Sequence, residues 1–177
     1  IGTNYLLHSL SIDYVPRERR AEGIVGLASV AENMTLASIR KVAPRLFIRF
    51  GEERDLARRW IERLSIKTPS TQTPAGGLSG GNQQKVVLSK WGIAGSRIMI
   101  LDHPTRGIDV GAKEDVYELV REMTREGLSV ILLADTLEEI IGLSHTILVM
   151  RDGAVTARFD APAGAKPGQV DLVSHMV

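Results

Sequence analysis

The chain has 177 residues, 44% hydrophobic and 24% charged, with a mean hydropathy of +0.01; that is enough apolar material for one sizeable core and excludes disordered and fibrous classes. A formal net charge of +1 gives no general attraction to nucleic acid or an acidic membrane surface, so any anion recognition has to be local. With no cysteine, disulfides and thiolate metal sites are excluded and a reducing cytosol fits. The chain opens on Ile1 without a signal-peptide pattern and is expected to be a fragment of something longer. Residues 10–15 (LSIDYV) predict a short strand stopped by Pro16, followed by the charged loop RERRAEG. Ser29 and Glu32 fit a capping box that opens a helix over roughly 30–42. In GEERDLARRWIERL, Leu56, Trp60 and Leu64 recur every four residues behind an acidic first turn, predicting a second helix. The loop KTPSTQTPAGG then separates this helical part from the stretch LSGGNQQK and the helix it begins.

The second half changes character. RIMILD (97–102) and LSVILLA (128–134) are short, nearly continuous apolar runs, expected for parallel strands covered on both faces. Between them, Val116, Leu119, Val120 and Met123 follow a helical repeat closed by Gly127, giving a βαβ unit. TILVM and AVTARF around the turn RDG predict a terminal hairpin. These runs and IIGLSHTILVM (140–150) fall short of the about 18 residues of a membrane span, so work at a membrane would be done from the side.

Two places carry chemistry. LSGGNQQK (78–85) puts glycines at the start of a helix, where the free N–H donors and the dipole favour an anion and Ser79 adds a hydroxyl. A glycine-rich turn ending a loop is the plain alternative. Asp102 ends an apolar strand, where open α/β sheets put ligand-handling groups, and such an aspartate can orient Mg²⁺ or its water opposite phosphates; many such aspartates simply cap the next turn. His8, His145 and His175 are scattered without metal-ligand spacing, and no metal site is predicted. Trp60 and Trp91 are read as core or interdomain packing.

At these residues the chain resembles ATP-binding cassette transporter ATPases: LSGGNQQK is similar to their signature motif, IMILD to their Walker B strand and RGID to their D-loop. YVPRERRAEG, SVAENMTL, LSGGNQQKVVLSKW, LDHPTRGIDVGAK and MRDG, in that order, resemble the second nucleotide-binding cassette of importers for ribose, galactose, xylose and related solutes. The resemblance implies an α/β fold, a P-loop NTPase-like (RecA-like) parallel sheet core with an inserted helical subdomain. Its parts would be a helical subdomain at 27–75, a signature-helix and Walker B core at 76–150, and a hairpin and tail at 151–177. It also implies ATP and Mg²⁺ as cofactors. The implied partners are a second cassette docked head to tail, a membrane permease subunit facing residues 27–75 and, indirectly, a solute-binding protein, with no nucleic acid. The implied place is the cytoplasmic face of the plasma membrane. Ser79, Gly80, Gly81 and Asn82 would then touch the γ-phosphate of a nucleotide held by the other cassette, Asp102 would lie near Mg²⁺, and Asp109 would lie across the interface. Bulk at Gly81 is expected to block closure while the domain stays folded.

The departures from the family pattern are as specific. No GxxxxGK(S/T) phosphate loop is present; Gly76 to Gly81 imitates one but continues with Asn82 and Gln83. The position of the catalytic glutamate after Walker B is His103, and the switch-histidine position is Asp135, whose carboxylate would repel a phosphate unless protonated or paired. VPRE stands where the family carries a glutamine near the metal, making Arg17 or Glu18 the candidate there. Three readings stay open: a catalytically degenerate cassette that helps bind ATP, a competent ATPase whose phosphate loop lies upstream of Ile1, and a structural or regulatory pseudo-cassette that binds no nucleotide.

Overall fold

The computed structural model describes residues 11–43 and 47–176. Leu10, in the first predicted strand, and His8 lie outside them. The chain divides into two compact units, Ile1–Ile131 and Leu132–Val177.

Strands β1 (Ile12–Val15), β2 (Ile98–Asp102) and β3 (Ser129–Leu133) form a sheet in that order, the last two residues of β3 falling in the second unit. β1 and β2 run parallel, with Val15 opposite Leu101. Their alternation puts Asp13, Val15, Met99 and Leu101 on one fully covered face; Asp13 is tolerated there because the Ser96 hydroxyl donates to its carboxylate. The expectation of strands covered on both faces is corrected. Ile12, Tyr14, Ile98 and Ile100, on the other face, are only half-buried, and Ile131 in β3 is 55% exposed. An apolar run reports affinity for a neighbour and does not supply one.

Helix α1 (Val30–Thr35) opens on the predicted capping box: Glu32 N–H donates to Ser29 Oγ and Ser29 N–H to the Glu32 carboxylate. The loop before LSGGNQQK satisfies two more donors of that first turn, Val30 N–H to the Thr73 carbonyl and Ala31 N–H to that of Thr71. The single helix expected over 30–42 is interrupted by a 3₁₀ turn at Leu36–Ser38 before α2 (Ile39–Val42). Thr35 Oγ1 bonds back to the Ala31 carbonyl and Ser38 Oγ to that of Thr35, contacts that bend a helix. In α3 (Phe50–Arg63) the expected stripe turns inward with Leu64 buried and Leu56 and Trp60 half-buried, and it also carries Ala57 and the buried Glu53. The Trp60 ring lies on Gly92, where an added β-carbon would press into it.

The LSGGNQQK stretch begins α4 (Gly80–Ala94), which ends at Gly95 with φ +89°. Its middle is buried all round, including Gln83, Gln84, Val86, Val87 and Leu88. Gln83 donates to the carbonyls of Gly76 and Leu78, tying the preceding loop to the helix. Helix α5 (Val110–Arg125) joins β2 to β3, buries the predicted Val116, Leu119, Val120 and Met123, and closes at Gly127 with φ +101°.

The second unit holds α6 (Leu137–Leu143), N-capped by Thr136, and the antiparallel hairpin β4 (Thr146–Arg151) and β5 (Ala154–Asp160). Asp152 (φ +50°) and Gly153 (φ +79°) make its tight turn, as predicted. Ile147, Val149, Ala161 and Leu172, the last from α7 (Gln169–Val173), form its core. Among the described residues no helix is long and apolar enough to cross a membrane.

Candidate functional site

The N-terminus of α4 is built for close approach, but first to other parts of its own chain. Gly80 faces Arg19 and the Gly107 carbonyl: an added β-carbon would lie 2.5 Å from Arg19 Nη2 and 3.0 Å from Gly107 O. Gly81 is buried against α5, where a β-carbon would lie 2.6 Å from that of Ala112. The two glycines therefore first serve contacts behind the helix start. Ser79 is exposed and makes no cap bond to the helix amides; its Oγ accepts from Asn82 Nδ2 at 2.8 Å, while Asn82 Oδ1 accepts from Lys67 N–H at 2.8 Å. The first-turn N–H groups of α4 are thus left without a side-chain cap, the arrangement that attracts an anion.

Beside this start runs the turn from His103 to Asp109. Asp109 is exposed and caps α5, its carboxylate accepting from Ala112 N–H at 2.9 Å. The turn is held by Arg19, a buried residue of the segment RERRAEG, where no local pattern sets it apart from the arginines beside it. Arg19 Nη1 donates to the Arg106 carbonyl at 2.6 Å and Nη2 to that of Gly107 at 3.0 Å.

Asp102 stands at the end of β2 with both carboxylate oxygens engaged. Tyr14, on β1, donates to Oδ2 at 2.6 Å, and His103 Nδ1 meets Oδ1. The Tyr14 hydroxyl holds the Asp102 pKa below its ordinary value, with His103 and the charge of Arg17 adding to the effect; in return Tyr14 is pushed up to about 12. His103 has φ +50°, the left-handed region, which turns its ring back onto Asp102. Sequence reasoning misses Tyr14, since a tyrosine on a half-buried strand gives no signal until its partner, 88 residues away, is known.

The structure thus brings Ser79, Gly80, Gly81 and Asn82 together with the turn carrying Asp109, and sets Tyr14 and His103 on the Asp102 carboxylate, on which the charge of Arg17 also acts. Asp135 is an exposed residue of the bend after β3, in the second unit. Among the described residues no group of three or more His, Asp or Glu side chains is arranged to hold a metal ion.

No family model matches the chain. The arabinose import ATP-binding protein AraG 2 of Burkholderia ambifaria is 48% identical over 153 residues, 86% of this chain and 29% of that protein. The ribose import ATP-binding protein RbsA of Rhodopirellula baltica is 45% identical over 153 residues, 86% of this chain and 30% of that protein. The chain spans 29% and 30% of the length of these two curated relatives. A dimeric post-hydrolysis ATP-binding cassette bound to ADP and Pi superposes with a TM-score of 0.73 at 20% identity, over 90% of this chain and 67% of that one. A nucleotide-free cassette from an ABC transporter gives 0.73 at 19% identity, over 90% and 64%. The fold, a sheet with β1 and β2 parallel and helices packed on it, is that of these ATP-binding cassettes. In fold the chain is like ATP-binding cassettes, and its sequence relatives are sugar-import ATP-binding proteins.

Proposed function

We propose that this chain serves an importer for sugars or similar small solutes by adding Ser79, Gly80, Gly81 and Asn82 to a composite ATP site whose nucleotide is held by a second cassette, head to tail. The observation that supports this most is the exposed Ser79 at the uncapped start of a 15-residue helix. A hydroxyl and first-turn N–H donors suit the terminal phosphate of a nucleotide. They do not make a cradle for a whole nucleotide, and the sequence has no GxxxxGK(S/T).

Asp102 suits a place near Mg²⁺ that arrives with the nucleotide, because its carboxylate is held ionised and remains partly open to solvent. Arg17 would sit beside it and Asp109 would face the partner cassette. Mg²⁺ would neutralise charge on the phosphates; the work of this chain is to position the oxygens it touches. We assign His103 no base role, since its ring is already turned onto Asp102, and read this half as catalytically degenerate. Leu36, Ile39, Phe47, Ile48 and Phe50 are exposed apolar side chains within residues 27–75, which supports docking of that part on a permease subunit at the cytoplasmic face of the membrane, with a solute-binding protein acting indirectly.

The test uses Ser79→Asp, which keeps a good N-cap residue at an exposed position but sets a negative charge against the phosphate. Paired with a cassette that has an intact phosphate loop, the wild-type chain is expected to associate in an ATP-dependent way and Ser79→Asp to lose that association. Equal association of the two would overturn the reading. Association without any ATP dependence would favour the pseudo-cassette, for which the engagement of both Asp102 oxygens speaks.

A further inference from the structure

Arg19 opens a single turn of π-helix, Arg19–Gly23, with three residues between it and the end of β1. The far end of that turn is fastened to α4: Lys90 Nζ donates to the Gly23 carbonyl at 2.7 Å. From the near end the Arg19 side chain, 9% exposed, reaches the carbonyls of Arg106 and Gly107. Its Nη2 also fills the space that a side chain at Gly80 would need. Its Nε is buried without a partner. Burying a guanidinium with one donor unsatisfied is costly, and an apolar side chain would fill the same volume at lower cost. What an apolar residue cannot do is donate to two consecutive carbonyls of a turn. The planar fork matches that task, whereas a lysine offers only a point charge.

We propose that Arg19 is a positioning residue of the ATP site, holding the turn that leads to Asp109 against the start of the signature helix so that Asp109 and Ser79–Asn82 meet the nucleotide and the partner cassette as one rigid edge. The role rests on the composite-site reading above; the clasp itself does not. Within the turn, Arg106 N–H donates to the His103 carbonyl and Ile108 N–H to that of Thr105, and outside it Arg106 pairs with Glu18 at 3.0 Å. It is Arg19 that ties two of its consecutive carbonyls to the start of α4. Gly107, at φ +66°, lets the chain turn its carbonyl toward Gly80 and Arg19.

The experiment has two arms. Amide hydrogen exchange of the chain itself, wild type against Arg19→Lys, is expected to show amides of 105–109 exchanging about tenfold faster, with those of Leu88 and Met99–Leu101 unchanged. Gly80→Ala should have the same effect in the wild type and a smaller one in an Arg19→Ala background, because the contact at 2.5 Å is then gone. In the second arm, the ATP concentration for half-maximal association with an intact cassette should rise about tenfold in Arg19→Lys. A loss of folded protein alone would lower the amplitude and leave that concentration where it was.

Unchanged exchange at 105–109, or additive effects of Gly80→Ala and Arg19→Ala, overturns the clasp. Faster exchange with an unshifted ATP concentration overturns the positioning role. If the wild-type chain shows no ATP-dependent association, the composite-site reading falls and the positioning role with it, while the exchange arm still decides the clasp.

Discussion

A β-carbon on Gly81 would lie 2.6 Å from the β-carbon of Ala112, so the second glycine of LSGGNQQK is where the first turn of α4 touches the first turn of α5. Neither partner is the far end of a flexible side chain, and the contact cannot widen without moving a helix. The expectation that bulk at Gly81 leaves the domain intact is therefore corrected. Substitution there strains this chain before any nucleotide is involved.

Gly81→Ala should destabilise the chain by about 1–3 kcal/mol, the usual cost of overpacking. Gly81→Asp should cost more, by adding a buried charge. For a protein of this size the alanine variant should melt about 2–10 °C lower. Adding Ala112→Gly to Gly81→Ala should recover most of the loss, less the about 1 kcal/mol that a helical glycine costs. Thermal unfolding of the three variants checks this, and an unshifted melting temperature for Gly81→Ala would count against the contact.

Glu53 is 3% exposed, and its carboxyl lies 2.9 Å from Thr35 Oγ1. Thr35→Val keeps the shape and strands a buried polar group, so it should cost about 1–3 kcal/mol in urea unfolding. Thr35→Val with Glu53→Met should lose less than Thr35→Val alone, since nothing polar is left unpaired. A larger loss in the double variant would show that the pair stabilises beyond satisfying its own buried groups.

Burial holds the Lys90 ammonium at about 8, against an ordinary 10.5. Below pH 8 the lysine is charged whether the chain is folded or not, and the desolvation cost is present in full. Between pH 8 and 10.5 the folded state releases its proton first, so the wild type gains stability as pH rises, by about 3 kcal/mol in all. Lys90→Met lacks this group. The stability of the wild type minus that of Lys90→Met should be flat below pH 8 and climb toward pH 10.5; a flat difference throughout would refute the assignment.

The isolated chain should neither bind Mg²⁺–ATP in the micromolar range by calorimetry nor hydrolyse it above background. His103→Glu should not rescue turnover. Positioning of the phosphates supplies most of the catalysis in phosphoryl transfer. A glutamate would also inherit a backbone at φ +50°, beside the Asp102 carboxylate. Robust hydrolysis by His103→Glu alone would contradict both arguments.

Whatever depends on neighbours in the chain is legible in the amino-acid sequence. The Ser29–Glu32 box, the stripe from Val116 to Met123, the Asp152–Gly153 turn and the glycine-rich start of α4 each form from groups a few residues apart. Their order by itself resembles a cassette ATPase. Tertiary structure alone decided what each group meets. Only it showed that Gly80 and Gly81 make room for Arg19 and Ala112, that Glu53 turns inward to Thr35, and that β3 keeps an exposed face. It also joined Tyr14 to Asp102 and Arg19 to Gly107, each across 88 residues. Periodicity and capping are set by backbone geometry within one or two turns, and so they are written locally. The partner of a buried polar group is chosen by whatever element packing brings to it, and no local pattern encodes that choice.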